Sequence, residues 1–460
     1  KWLNLELKEM NFQGHSIVKT QTTDTKKNTT TIVYEFNDIP ALIAEENSPG
    51  RSYLYPHLLV IAKSYEMNGE KITLFNSTAD LYKWYKSLID QMKDDPEQLK
   101  SKVTELTAKA KTDEEKIKNI YYWVQDNIRY IAFEDGIAGF KPDDSQNVFK
   151  KRYGDCKGMA NLIKQMMIIA GFDARLTWIG TKHIAYDYSI PSLSVDNHMI
   201  CTVLHKGKQI YLDGTEKNIS LEEYAERIQN KETLIENGDT YIIGKIPTVQ
   251  ASLNKETFRA KLVVDGEKLK GSCKRTYLGE SRTEFQNIYN SFETDKKAEA
   301  LERYLSKNDK NNHVTSIKTS DLKSREQALT IDYELESENR LSNFDGEMYL
   351  NFEFMNEYKK FTLKDRKTDY ELDYKTLYDS EITIVLPAGY KVEKLPENLI
   401  QKEEDYQVEV SFSQKGNELL YRKIFIFNNA VLPKNKQEKW NNTHKKLVEF
   451  YNSSITLIKS

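Results

Sequence analysis

Cysteine is scarce in this chain of 460 residues, which contains only Cys156, Cys201 and Cys273. So few cysteines, with no CxxC pair among them, exclude a disulfide framework and indicate no metal or redox-exchange motif. Long apolar runs are missing too, and none approaches the roughly 20 residues of a membrane-spanning helix. We therefore expect no membrane span. The chain begins at Lys1 without a methionine or a signal peptide, so we expect a mature or truncated product.

An excess of charge of one sign is also missing. The chain has 67 basic and 70 acidic residues, which give a formal net charge of −3. This balance provides no general electrostatic field for nucleic acid. There is no Gly-rich phosphate loop and no zinc-knuckle pairing. We therefore expect no nucleic-acid partner and no cofactor.

The chain does contain the composition of a folded protein, with 39% hydrophobic and 11% aromatic residues. Its length suggests about two to four domains. Strand-like alternation dominates the beginning, helical signals start near Thr78, and strand patterns return from about residue 255. We predict an α+β chain in three parts. These are the C-terminal part of a β-rich domain (1–90), a core of helices and antiparallel strands (91–250), and one or two β-sandwich-like units (251–460).

Two helices are predicted in the central part. Residues 112–115 form a capping box before apolar residues at three- and four-residue steps, from Ile117 to Ile128. A second helix is predicted to begin at or just after Cys156 and to end before Gly171. Short strands at 174–179, 199–204 and 209–212 follow it.

The most informative stretch is residues 153–158, with the sequence YGDCKG. His198 lies 42 residues beyond Cys156, and Asp213 lies a further 15 residues on. A cysteine, a histidine and a carboxylate could form a thiol triad, in which thiolate attacks, imidazole moves protons and carboxylate orients the imidazole. Asp155 suits a helix N-cap, so the sulfur would lie in the first helical turn, where the helix dipole favours thiolate.

The strands around residues 205–208 test this hypothesis. If Lys206 and Gly207 form a two-residue hairpin turn, His198 and Asp213 share one face of the sheet as diagonal neighbours. A three-residue loop without a bulge would place them on opposite faces. Cys201 falls on the other face, which predicts a packing role.

A zinc site is the competing interpretation of the histidines. His183 and His205 would have to join Cys156 and His198 as ligands. Their spacing fits no standard ligand pair, and a second cysteine ligand is lacking, so zinc is disfavoured. Cys273 has no acid–base partner nearby in sequence and is predicted to be structural.

At these residues the chain resembles the transglutaminase-like superfamily, a papain-related group whose core runs Cys, then His, then Asp. The resemblance covers about residues 95–220. Its motifs are residues 126–130, the Pro142 segment, 152–157, 197–198 and 212–215. The flanking segments 39–42 and 45–46, and later 386–390 and 395–396, resemble β-rich domains of unknown function. Such domains bracket this core in secreted or periplasmic bacterial proteins.

The resemblance implies a papain-like core between β-sandwich-like domains and a periplasmic or secreted location. It implies Cys156 as nucleophile, His198 as general base and acid, and Asp213 as the residue that orients His198. The Cys156 backbone N–H would be one oxyanion donor. Gln146 and Asn147 are candidates for the second donor by their nearness alone.

The leading functional hypothesis is acyl transfer through a Cys156 thioester on amide bonds of a peptide or protein substrate. Water as the second nucleophile makes the enzyme a peptidase or amidase, and an amine makes it a cross-linking acyltransferase. The bacterial relatives implied by the resemblance favour hydrolysis. The alternative is a non-catalytic binding module, in which the core is a scaffold and the β domains recognise a partner.

Overall fold

The computed structural model describes residues 3–37, 41 and 43–460. Of the predicted flanking motif at 39–42, all but Ala41 lies outside these residues. The chain divides into two compact units. The first comprises the residues up to Thr215 together with Asn230–Ile246, and the second comprises Glu216–Gln229 and Pro247–Ser460. The predicted α+β class is confirmed, whereas domain boundaries at 90 and 250 stay a prediction.

The first unit alternates between strands and helices. Its strands are β1 (Leu3–Met10), β2 (Ile17–Asp24), β3 (Thr29–Phe36), β4 (His57–Met67), β5 (Glu70–Thr73), β6 (Arg129–Tyr130), β7 (Tyr153–Gly154), β8 (Asp173–Ile179), β9 (His198–His205), β10 (Lys208–Leu212), β11 (Glu232–Asn237) and β12 (Thr240–Lys245). Its helices are α1 (Arg51–Leu54), α2 (Thr78–Ile89), α3 (Glu97–Thr107), α4 (Asp113–Asn127), α5 (Ser145–Lys151) and α6 (Cys156–Ile169).

Both predicted helices are present with their predicted ends. The Thr112 hydroxyl accepts a hydrogen bond from the Glu115 N–H at 3.1 Å and caps α4. Asp155 caps α6, which ends before Gly171, whose φ of 90° lies in the left-handed region. Across the described residues, no helix is long and apolar enough to cross a membrane.

The central sheet of the first unit is antiparallel, in the order β10-β9-β8-β11-β12. Lys208 of β10 pairs with His205 of β9, so two residues form the turn between them. Both have positive φ, 50° at Lys206 and 76° at Gly207, as a type I′ turn requires. The predicted two-residue turn is therefore confirmed.

The core of the first unit contains residues that precede the predicted boundary near residue 90. Leu59 of β4 and Tyr85 of α2 are buried with Cys156 of α6 and with Leu176 and Trp178 of β8. The sheet β1-β4-β5 and the hairpin β2-β3 complete this part of the unit. Residues from about 59 onwards therefore help to build the surroundings of Cys156.

The second unit is rich in strands. These are β13 (Lys255–Asp265), β14 (Lys268–Tyr277), β15 (Asn312–Thr319), β16 (Leu329–Ser337), β17 (Leu341–Phe344), β18 (Glu347–Leu350), β19 (Tyr370–Glu371), β20 (Thr376–Val385), β21 (Tyr390–Lys394), β22 (Leu399–Lys402), β23 (Tyr406–Lys415), β24 (Glu418–Phe427), β25 (Val431–Leu432) and β26 (Ile455–Lys459). Its helices are α7 (Gly279–Ser291), α8 (Lys297–Leu305) and α9 (Gln437–Tyr451).

Most of these strands belong to two sheets. One has eight strands in the order β15-β16-β14-β13-β20-β24-β23-β22, in which only the β13–β20 pair is parallel. The other has four strands in the order β17-β18-β26-β21. Residues of both sheets share one hydrophobic core with Trp440 and Phe450 of α9. One or two β-sandwich-like units were predicted for this region, and the described residues of its two sheets pack around one hydrophobic core.

A fully buried lysine lies in this core. Lys423 Nζ is 3.0 Å from Glu353 Oε2 and 2.5 Å from Glu357 Oε2. The Tyr421 hydroxyl donates a further hydrogen bond to Glu353 Oε2 at 2.6 Å. Burial alone would raise the pKa of Glu357, but the charge and hydrogen bond of Lys423, together with the charges of Lys307 and Arg275, outweigh it and lower that pKa to about 2. The lysine therefore compensates two carboxylates.

We expect Lys423→Met to destabilise the second unit by about 3 to 5 kcal/mol, because both carboxylates lose their cation inside the core. Hydrogen exchange of the β23 and β24 amides, followed by mass spectrometry, measures this loss. Lys261→Met is the control, since Lys261 Nζ is 2.7 Å from Glu418 Oε1 at an exposed site, where ion pairs contribute little. Equal protection in the two variants would contradict the expectation.

Candidate active site

Cys156 is the first residue of α6. The helix begins directly after β7, a short strand that pairs in parallel with β6. Tyr130 of β6 pairs with Gly154 of β7, and the Ile131 N–H donates to the Gly154 carbonyl at 2.9 Å. Asp155 then caps the helix, with Oδ1 accepting from the Gly158 N–H at 2.8 Å. The residue at position 156 is only 8% exposed. Two of the predicted motifs, 126–130 and 152–157, are thereby joined by backbone hydrogen bonds.

The charged neighbours of Cys156 neutralise each other. Asp155 and Lys157 are both buried, and their side chains form an ion pair. Lys157 Nζ also lies 3.4 Å from the carbonyl oxygen of Phe133. Since a buried charge needs a partner, this pair holds the start of α6 and ties it to the loop that follows β6.

His198 and Asp213 meet across the β9–β10 hairpin. His198 Nε2 is 2.8 Å from Asp213 Oδ2, and both side chains are buried. Asp213 Oδ1 accepts from the Thr215 N–H at 3.1 Å and from the Thr215 hydroxyl at 2.7 Å. The Tyr121 hydroxyl of α4 donates to the Asp213 backbone carbonyl at 3.0 Å. These hydrogen bonds hold Asp213 in place independently of its contact with the imidazole.

The electrostatics of the site favour a charged imidazole. Burial lowers the pKa of His198, but the charge and hydrogen bond of Asp213, with a smaller contribution from the hydrogen bond and charge of Cys156, raise it to about 9. Because this exceeds the ordinary value of 6.5, these contacts stabilise the fold fully below about pH 6.5. That contribution is lost as the pH rises through about 9.

The three predicted residues therefore come together. Asp213 Oδ2 contacts Nε2 of the imidazole, and Cys156 contributes to the raised pKa of His198, so Nδ1 is the ring nitrogen left to face the sulfur. Cys156, His198 and Asp213 lie in the order that a thiol triad requires. That they act as a catalytic triad stays a prediction.

The other cysteines and histidines lie elsewhere. Cys201 and Cys273 are buried, and burial raises the pKa of each thiol to about 12. His183 and His205 do not line the cavity beside Cys156. Within the described residues, no group of three or more histidine, cysteine, aspartate or glutamate side chains is placed to hold a metal ion.

Neither candidate for the second oxyanion donor lies at the site. The Gln146 amide donates to the Lys93 carbonyl at 2.9 Å, and its Oε1 accepts from the Asp95 N–H at 3.0 Å. The Asn147 amide donates to Asp143 Oδ1 at 3.0 Å. Nearness in sequence is a poor guide here, because α5 directs both side chains to neighbouring turns. The Cys156 N–H, as the first of a helix, has no intrahelical acceptor and remains a donor candidate.

A cavity of about 310 Å³ opens beside Cys156 and His198. Aromatic side chains form much of its wall, and polar groups line the rest. Its residues include Tyr85, Tyr130, Phe133, Phe140, Trp178 and Asp196. Sequence reasoning did not assign Tyr85, Trp178 or Asp196 to the site. For Asp196 a signal was available, because it stands two residues before His198.

Two known families match parts of this chain. Residues 100–209 match the family described as Transglutaminase-like superfamily. The chain carries a transglutaminase-like core. The match ends before Asp213, so it covers Cys156 and His198 only. Residues 346–457, in the second unit, match a domain of unknown function, DUF3858, as the resemblance of residues 386–390 and 395–396 had suggested.

A solved structure supports the same fold around the transglutaminase-like core. A candidate protease from Parabacteroides distasonis matches with a TM-score of 0.58 and 12% identity, over 99% of this chain and 70% of that one. At this identity the likeness shows the fold alone. A candidate cysteine protease from Cytophaga hutchinsonii is 18% identical over 26% of this chain and 37% of its own, with a TM-score of 0.22 that carries no argument. No curated protein matches significantly.

We expect Asp213→Asn to lower the pKa of His198 by about one to three pH units, because the imidazolium loses its carboxylate partner. NMR titration of protein with isotope-labelled histidine measures the change, and His198→Gln assigns the signal. The control is Asp113→Asn, which removes a carboxylate 3.6 Å from His205. An unchanged His198 titration in Asp213→Asn would refute this account of the electrostatics.

Proposed function

We propose that the transglutaminase-like core is a thiol enzyme that hydrolyses amide bonds of peptides or proteins through a thioester on Cys156. The observation that carries the proposal is the meeting of three side chains. Cys156 lies at a helix N-terminus in the same cavity as His198, whose Nε2 is 2.8 Å from Asp213 Oδ2. This arrangement supplies a nucleophile, a proton carrier and an orienting carboxylate.

In the first half of the reaction, the Cys156 thiolate attacks the carbonyl carbon of the amide, and the carbonyl oxygen gains the negative charge. The Cys156 N–H donates to that oxygen. The His198 imidazolium, protonated up to about pH 9, gives its Nδ1 proton to the leaving nitrogen. The carbon–nitrogen bond breaks, the amine leaves and a thioester remains on Cys156.

In the second half, neutral His198 takes a proton from water, and the resulting hydroxide adds to the thioester carbonyl. The carbon–sulfur bond then breaks, which releases the carboxylic acid product and restores the thiolate beside an imidazolium. Asp213 keeps the ring in place throughout. Because its Oδ1 is held by Thr215, its Oδ2 stays directed at Nε2 and Nδ1 stays directed at the sulfur.

The volume of the cavity indicates the size of the substrate group that it can bind. Its volume of about 310 Å³ lies at the lower end of small-molecule sites, so it accommodates one substrate residue beside the scissile bond. A periplasmic or secreted location, which the family resemblance implies, is part of this proposal. Peptides of the cell envelope and secreted proteins are therefore the substrates to test first.

We expect Cys156→Ala to reduce peptide hydrolysis by about three orders of magnitude or more, because the nucleophile is lost. Mass spectrometry of digests of cell-envelope peptides measures hydrolysis, and iodoacetamide labelling reports thiol reactivity. Cys201→Ala is the matched control, since Cys201 is buried and should neither label nor affect turnover. Full activity of Cys156→Ala on every cleaved peptide would overturn the mechanism.

The acceptor can be tested separately. We expect hydroxylamine to trap the acyl group of the thioester as a hydroxamate, whereas a labelled primary amine at moderate concentration yields less amide product than free acid. The two products are quantified by mass spectrometry on the same cleaved peptide. If amide product dominates, the core is a transglutaminase rather than a hydrolase, and trapping in Cys156→Ala is the negative control.

A further inference from the structure

One carboxylate in the cavity has no role in the proposed mechanism. Asp196 lines the cavity beside Cys156 and keeps some exposed surface. The Tyr85 hydroxyl lies 2.9 Å from each of its oxygens, and the Tyr188 hydroxyl lies 3.1 Å from Oδ2. Both tyrosines are buried. Among the described residues, Asp196 forms no ion pair with a lysine, arginine or histidine.

Such a carboxylate is unusual, because the buried charged groups beside Cys156 are compensated. Asp155 pairs with Lys157, and Asp213 pairs with His198. Tyrosine hydroxyls compensate Asp196 only in part, since burial still raises its pKa to about 7. The single oxygen of an asparagine, at the position of Oδ2, could accept a hydrogen bond from each tyrosine hydroxyl without the cost of burying a charge. The charge therefore suits a cation that arrives with the substrate.

The walls around Asp196 suit the same kind of group. Tyr85 stacks on Trp178, with ring centroids 4.7 Å apart and planes inclined by 12°. Phe133 and Phe140 line the cavity as well. Aromatic faces attract ammonium and guanidinium groups and cover the apolar stem of a lysine-like side chain.

We propose that Asp196 is the specificity determinant of the cavity and selects a substrate residue that carries a positive charge, an ammonium or a guanidinium, next to the scissile amide. This proposal rests on the proposed function. The cation would come from a basic side chain or from a free α-amine. Either source places positive charge between the Asp196 carboxylate and the aromatic walls, with the adjoining carbonyl carbon at the Cys156 sulfur.

A pair of alkylating probes tests this without a known substrate. Aminobutyl iodoacetamide and pentyl iodoacetamide have nearly the same shape and differ by an ammonium in place of a methyl group. In both, the carbon–sulfur bond to Cys156 forms as the carbon–iodine bond breaks and iodide leaves. We expect the cationic probe to react with Cys156 about tenfold faster or more, and Asp196→Asn to reduce this ratio to about one.

The control variant is Glu134→Gln, which removes another carboxylate that lines the cavity but is exposed. It should leave the ratio of the two rates near that of the wild type. An equal fall in Glu134→Gln would show that general attraction, rather than Asp196, selects the cation. A wild-type ratio near one, or an unchanged ratio in Asp196→Asn, would overturn the proposal.

The pH dependence of the ratio gives a test that needs no variant. Because the pKa of Asp196 is about 7, its charge forms as the pH rises through that value, and the rate ratio should rise between about pH 6 and pH 8. The reactive fraction of the nucleophile is the same for both probes and divides out of the ratio. The titratable groups around Asp196 are those of the cavity and of the elements packed against it, namely Tyr85 of α2, Tyr130 of β6, Glu134, Asp155, Cys156 and Lys157 of α6, Tyr188, His198 of β9 and Glu232 of β11. A flat ratio would contradict the proposal.

Peptides then distinguish the source of the cation. For a peptide cleaved by the enzyme, we expect lysine beside the scissile amide to give a kcat/KM about 10- to 100-fold above norleucine, and Asp196→Asn to remove this preference. If acetylation of the N-terminus abolishes cleavage instead, the α-amine is the source. Absence of hydrolysis with preserved selectivity of the probes would refute the proposed function but not the cation site. An equal loss for lysine and norleucine peptides in Asp196→Asn would show a positioning role and overturn selection.

Discussion

The hydrogen bond between His198 Nε2 and Asp213 Oδ2 depends on the geometry of one hairpin. Lys206 and Gly207 both take the left-handed conformation, so these two residues alone form the turn between β9 and β10. One residue more in the turn would move Asp213 to the other face of the sheet. The imidazole would then lose the partner that keeps it charged and directs Nδ1 towards Cys156. A local feature of the backbone thus determines the electrostatics of the whole site.

The nucleophile depends on a second device of the backbone. Pairing of β6 with β7 brings the end of α4 against the start of α6, and the Asp155 cap then fixes where the helix begins. As a result, Cys156 enters the first turn with an unpaired N–H at hand. The Tyr121 hydroxyl of α4 contacts the Asp213 carbonyl. One helix therefore supports both the nucleophile loop and the orienting carboxylate.

The carboxylates discussed above differ in whether a cationic side chain compensates their charge. Lys423 lies between Glu353 and Glu357, and Lys157 lies beside Asp155, so these carboxylates belong to the architecture. Asp196 differs, because its hydrogen bonds come from tyrosine hydroxyls and, within the described part of the chain, no cationic side chain pairs with it. A carboxylate without a cationic partner costs stability. Its presence in the cavity therefore indicates a functional role for Asp196.

Features that depend on interactions between neighbouring residues could be predicted from the amino-acid sequence alone. The cap at Asp155, the apolar face of α4, the glycine that ends α6 and the two-residue turn at Lys206 were all readable, because each depends on a few neighbouring residues. The order and spacing of Cys156, His198 and Asp213 followed from the same local patterns. The remaining features depend on contacts between segments that are distant in the chain. Folding directs Gln146 away from the site. It also brings together Tyr85 and Trp178, which are more than 90 residues apart in the chain, as stacked rings in the cavity of Asp196. Packing between distant segments leaves no periodicity in the sequence, so the walls of the cavity, and the substrate chemistry they suit, emerge only when the chain is folded.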